Sequence, residues 1–129
     1  MSKVIIAIKV GFTAIVGGLS VLLGGFDALI ICLCSLVIFD YITGVFCGII
    51  QKKLNSRTGF IGIIKKVCIF LVVAVANSIG DITGISGLRD IAVSFYIANE
   101  GISIIENLGI IGVPLPKKLI EILEQLKNK

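Results

Sequence analysis

Two acidic residues stand inside apolar stretches, and the residues around each of them have helical spacing. Asp40 leads a stripe of Thr43, Gly44, Cys47, Gly48 and Gln51 at offsets of 0, 3, 4, 7, 8 and 11, one face of an α-helix. Gly44 and Gly48 are a small-xxx-small pair, which lets another backbone approach closely. An acid within a membrane-crossing helix is a functional candidate. The stripe is therefore expected to be a subunit contact or an aqueous pathway, or, more plainly, an intramolecular packing face with Asp40 buried in it. Tyr96, Asn99, Glu100, Ser103, Glu106 and Asn107 repeat the pattern, with Ile91, Phe95, Ile102, Ile105 and Leu108 opposite. A polar helix face inside a bilayer must meet protein or water. Lining an oligomeric pore satisfies it, and so does packing on the polar edge of a third helix formed by Ala74, Asn77, Ser78 and Asp81. Glu106 is then expected within reach of Lys65 or Lys66.

Other chemistry is hard to build from this chain. It has no His, which removes the commonest general base and metal ligand. Cys32, Cys34, Cys47 and Cys68 form no C-x-x-C pair. Leu29, Ile30 and Ile31 lack the small residue a lipoprotein signal wants before Cys32. The thiols are expected to be small hydrophobes in helices. No catalytic residue, metal or cofactor is expected.

The elements that position the two faces follow from composition. The chain has 129 residues, 57% hydrophobic and 16% charged, with a mean hydropathy of +1.11. So small a chain cannot hide that apolar excess from water, and the bilayer is its natural solvent. A helical crossing takes roughly 20 apolar residues. Residues 4–26 and 28–50 each offer 23, broken only by Lys9 and Asp40. Asp40 costs about 2.5–3.5 kcal/mol on the insertion scale. Thirteen Leu, Ile, Val or Phe residues of the same stretch return roughly 4–8 kcal/mol, so the segment inserts. After a polar, basic connector at 51–66, the uncharged stretch 67–80 is expected to make a third crossing, reaching span length if its helix starts near Phe60 with Lys65 and Lys66 among the headgroups. A fourth, more polar one runs over 91–112, between a turn at 81–90 and the breaker Val113-Pro114-Leu115-Pro116. The expected fold is an all-α integral membrane protein with about four short transmembrane helices, or three plus an interfacial first helix. Residues 1–112 are the membrane domain and 113–129 an amphipathic cytoplasmic tail. That tail has Leu119, Ile122, Leu123 and Leu126 on one face, suited to the membrane surface or to a partner helix.

Charge orients the bundle. Four crossings place eleven of the twelve basic residues on one side, Lys52, Lys53, Arg57, Lys65 and Lys66 among them, and Asp27, Asp81, Asp90 and Arg89 on the other. The positive-inside rule then gives N-in and C-in. The bases alternate with apolar stretches and have no aromatic platform, so nucleic acid is not an expected partner. Lys3 before an apolar run has the look of a secretory signal. No A-x-A-like site follows, and the run exceeds the usual ~7–15 residues, so a retained helix is expected.

Phe39-Asp40-Tyr41-Ile42-Thr43-Gly44 resembles the toxin-secretion/phage-lysis holin family. So do Lys52-Lys53-Leu54-Asn55-Ser56 with Gly59, Gly62 and Lys65-Lys66, and Phe95-Tyr96-Ile97-Ala98-Asn99-Glu100 with Ser103 and Glu106-Asn107. Gly112-Val113-Pro114-Leu115-Pro116 completes the set, in order over roughly residues 20 to 128. The resemblance implies a phage-type protein of the bacterial inner membrane that self-associates and opens lesions, releasing an endolysin or a large toxin, with no cofactor. A small ion channel or proton-coupled transporter is the competing class, with an accessory subunit of a membrane complex as a third.

Overall fold

The computed structural model describes residues 2–128, which among themselves form five α-helices and no strand. They are α1 (Lys3–Leu23), α2 (Ala28–Ile50), α3 (Ser56–Thr83), α4 (Leu88–Ile111) and α5 (Lys117–Lys127). Short polar side chains start the first three. Ser2, Asp27 and Asn55 accept the backbone N–H of Ile5, Ile30 and Thr58 at 3.3, 3.1 and 2.7 Å, the usual N-cap arrangement. The Asn55 cap sets α3 going earlier than its apolar run suggests, and the helix continues to Thr83, past the expected stop at Gly80. Its 28 residues make a rod of about 42 Å at ~1.5 Å per residue.

α1, α2 and α3 are each long and apolar enough to cross a membrane. α4 has the length, but Arg89, Asp90, Glu100 and Glu106 lower its hydropathy. Most large apolar side chains point outward, as in Phe12, Phe46, Leu71 and Phe95. That is the surface a helical membrane protein offers to lipid. The apolar centre is small: Leu23, Ile30, Leu33, Ile69, Val73 and Val93. Lipid tails are as apolar as Leu, so close packing and polar bonds rather than hydrophobic burial must hold such helices together.

The polar bonds set the register. Asp27 pairs with Arg89, Asp40 with Ser103 and Thr43 with Asn107, separations of 62, 63 and 64 residues. A nearly constant offset means that α2 and α4 run parallel, side by side along their length. α3 lies antiparallel to both, and Lys66 reaches each of them. α5 doubles back on α4, so that Leu123 sits over Gly101. Leu119, Ile122 and Leu126 stay exposed. A Cβ on Gly101 would lie 2.9 Å from Leu123 Cδ2. Gly101→Leu should therefore lift α5 from α4, with an overpacking penalty of about 1–3 kcal/mol. Faster proteolysis at Lys117 and Lys118, in protein held in lipid, would report it.

α1 is anchored at one end. None of its central apolar stretch is buried. Its last turn is held by Asn77 of α3, whose Nδ2 donates to Leu22 O at 3.1 Å, and by Arg89 of α4. Arg89 donates to Leu23 O (2.8 Å) and Gly25 O (3.1 Å) and forks onto Asp27 at 2.7 and 3.0 Å. Gly24 closes the turn at φ +82, where a Cβ would lie 2.7 Å from Asn77 Oδ1. The position excludes a side chain on both counts.

Hydrogen bonds from Arg89 and from the Ile30 N–H, with the guanidinium charge, hold the Asp27 carboxyl down to about 2, below its usual 3.8. A depressed carboxyl stabilises the fold above its unfolded value, and the contribution is lost as pH falls through the folded one. Unfolding curves in detergent should accordingly lose stability between about pH 4 and pH 2, and Asp27→Asn should flatten that part of the profile. The effect is small, because the Asp27 side chain is 49% exposed and water screens the pair.

Candidate functional site

α2, α3 and α4 each bring a charged side chain from mid-helix to one point. Lys66 Nζ lies 2.5 Å from Asp40 Oδ2 and 2.9 Å from Glu100 Oε2. Asp40 Oδ1 accepts from Ser103 Oγ at 2.6 Å and from Asn107 Nδ2 at 3.1 Å. Asn107 Nδ2 also donates to Thr43 Oγ1 at 2.9 Å, whose own hydroxyl donates to Phe39 O at 2.8 Å. One turn further on, Cys47 Sγ donates to Asn107 O. Asp40 and Glu100 are 8% and 3% exposed, yet among the described residues no buried side-chain nitrogen or oxygen lacks a partner. Full pairing is what a buried polar network requires if it is to hold helices together rather than weaken them.

The sequence faces meet each other. Asp40, Thr43, Glu100, Ser103 and Asn107 join in this seam, with Asn99 half-buried on the same helix. The polar face of α4 thus packs chiefly on α2, and on α3 through Lys66. The α3 edge expected to receive it does other work, since Asn77 goes to α1. Tyr96 falls among the apolar core residues, edge-on to Phe95 with ring centres 5.1 Å apart. Glu106 is exposed. Among the described residues it pairs with neither expected lysine: Lys65 is exposed, and the Lys66 ammonium is committed to Asp40 and Glu100. Lys52, Lys53, Arg57 and Lys65 are exposed, whereas Lys66, expected among the headgroups, is part of the seam.

A cleft of about 280 Å³ leads from the α2–α3 loop to the seam. Lys53 and Asn55 stand at its mouth, Gly44 and Gly62 along its wall, and Asp40 and Lys66 at its floor. Gly48 is covered by Leu54, 3.2 Å from where its Cβ would be, while Gly44 has only Asn107 Nδ2 near, at 3.8 Å. Among the described residues no group of His, Cys, Asp and Glu is arranged to hold a metal. The arrangement can hold charge, bind or release a proton, and tie three helices together.

These features define an all-helical membrane protein whose candidate site is a charged seam between helices. The bacteriophage holin family matches residues 17–128, and the chain belongs to it. It is 39% identical over 131 aligned residues to an uncharacterised 14.9 kDa protein of the nagH 3′ region of Clostridium perfringens, covering 100% of this chain and 99% of the relative. It is 45% identical over 92 residues to a protein of Bacillus phage phi105 named "Probable holin", covering 70% of this chain and 68% of that one. The uncharacterised protein YqxH of Bacillus subtilis is 40% identical over 95 residues, 73% of this chain and 68% of the relative. No solved structure matches.

Proposed function

We propose that this protein is a lysis holin. It accumulates in the bacterial inner membrane as a multi-pass protein with both termini inside, self-associates without catalysing any reaction, and opens lesions that release an endolysin or a large toxin. The observation that carries the reading is the Asp40–Lys66–Glu100 seam: polar groups enough to line an aqueous opening, stored between helices whose outer surface is apolar. Membership of the holin family supports it. Parallel packing of α4 on α2 supports a fourth crossing, because its polar side is then covered by protein.

In the monomer the seam is closed on itself. Above a critical density, contacts through the small residues of α2 favour assembly, and the α2 and α4 faces turn toward a shared opening. A charge moved across the membrane couples to the potential by ~2.3 kcal/mol per 100 mV, so depolarisation favours opening.

Inducible expression beside an endolysin without its own signal tests this. Abrupt lysis with escape of the enzyme is expected, delayed by Gly44→Ile and shifted in time by Asp40→Asn or Glu100→Gln. Unchanged timing in both acid variants would remove the seam from the mechanism. Ion-selective flux without enzyme escape would favour a small channel or proton-coupled transporter, the reading that the cleft reaching Asp40 and Lys66 supports second.

A further inference from the structure

We propose that the Asp40–Lys66–Glu100 seam is a binding site for one proton, supplied through the cleft from the α2–α3 loop side and held on Glu100. The inference rests on the multi-pass reading above, which places the seam at mid-membrane.

Charge counting comes first. Two carboxylates share the Lys66 ammonium, so with every group ionised the seam carries one net negative charge. Inside a bilayer such an excess is costly unless another positive charge joins it. Two carboxyl groups that share a site do not readily both ionise, and one keeps its proton.

Donor counting then selects the carboxyl. Asp40 receives bonds from Lys66, Ser103 and Asn107, an environment built for a carboxylate. Among the described residues Glu100 receives bonds from Lys66 alone, at 2.9 and 3.3 Å, and is the more buried of the two. The group facing it from α2 is Asp40 and from α3 Lys66. On α5 the contact at the neighbouring Gly101 is the apolar Leu123, while Lys117, Lys118, Glu121 and Glu124 are exposed, as is Glu106 on α4 itself. The cleft reaches Asp40 and Lys66 and stops short of Glu100. Hydronium in the cleft therefore gives its proton to Asp40, and Lys66, bonded to both carboxyls, relays it. The ammonium hands one proton to Glu100 and takes one back from Asp40. The seam is then neutral, and release reverses these steps.

The cleft supplies the path and its sidedness. Its lining runs from Lys53 and Asn55 of the loop down to Asp40 and Lys66. The opposite end is closed by the apolar residues Ile30, Leu33, Val73 and Val93, all fully buried.

Infrared spectroscopy of the full chain in lipid nanodiscs at neutral pH should show the carbonyl band of one protonated carboxylic acid. Glu100→Gln should abolish it. Asp40→Asn should abolish it too, because Glu100 then has Lys66 to itself and ionises. Both substitutions are nearly isosteric, and the amide band of the same spectrum checks that the helices persist. Absence of the band in the unaltered protein, or its survival in Glu100→Gln, overturns the proposal. A band that grows when choline replaces sodium assigns the positive charge to a metal cation and also overturns it.

Access is tested with Gly62→Cys in a background free of other cysteines, since a Cβ there has 3.9 Å to Tyr41 Cε2. A cationic, membrane-impermeant thiol reagent should label it from the loop side of oriented vesicles and not from the other. No labelling from either side overturns the route. Neither measurement requires lysis or assembly, so the proton site can fail while the holin reading stands, and the reverse.

Discussion

Lys66→Met is expected to destabilise the folded bundle by about 3–5 kcal/mol, the range for removing one partner of a buried ion pair. The long apolar side chain keeps most of the volume, so the loss is electrostatic: Asp40 and Glu100 face each other without the ammonium they share. Unfolding in mixed micelles, followed by helical circular dichroism, measures it. Asp40→Asn and Glu100→Gln introduced together into Lys66→Met should recover most of the loss. That recovery separates a charge effect from simple mispacking, which the same two changes would leave in place. A Lys66→Met protein as stable as the unaltered chain would mean that the seam does not hold α3 to its neighbours.

Arg89→Ala is expected to have the second largest effect, about 3 kcal/mol. Hydrogen bonds from a charged donor are worth about 1.5–3 kcal/mol, and this side chain serves Leu23 O, Gly25 O and both oxygens of Asp27. Arg89→Lys should recover little of it, since an ammonium cannot reproduce the planar fork that reaches carboxylate and carbonyls together. The local signature is a loosened last turn of α1, read as faster amide exchange at Leu23 and Gly24, while the α2–α4 seam stays protected.

The sequence shows the apolar helices and the two unusual acids plainly, because each acid stands far from any loop. It shows Lys66 poorly. Lys65-Lys66 adjoins a basic loop, and a tandem pair of lysines there has the look of headgroup residues. Helical phase separates them, Lys65 facing out and Lys66 in. The signal that could have found it is the Asn55 cap, since a helix begun at Ser56 carries Lys66 about 15 Å along from that first residue at ~1.5 Å per residue. Arg89 was visible as the lone base of its side, opposite Asp27, but a charge count does not say that it also binds two carbonyls. The partner of α4's polar face was open between pore water and α3, because periodicity gives the face and not its neighbour. The answer, α2, depends on the parallel register, which no local pattern encodes. The fold-back of α5 is likewise a matter of tertiary contact between α4 and α5, Leu123 on Gly101 among them.

The lock on the first turn has a consequence in time. Asp27 and Arg89 are 62 residues apart, and at ordinary elongation rates of about 5–20 residues per second the ribosome needs roughly 3–12 s to make the second after the first. α2 is made early in that interval, and from then on it and α1 lack the guanidinium that ties their turn. The last long helix to be synthesised therefore secures the first, and a chain stalled before residue 89 holds an unlatched hairpin.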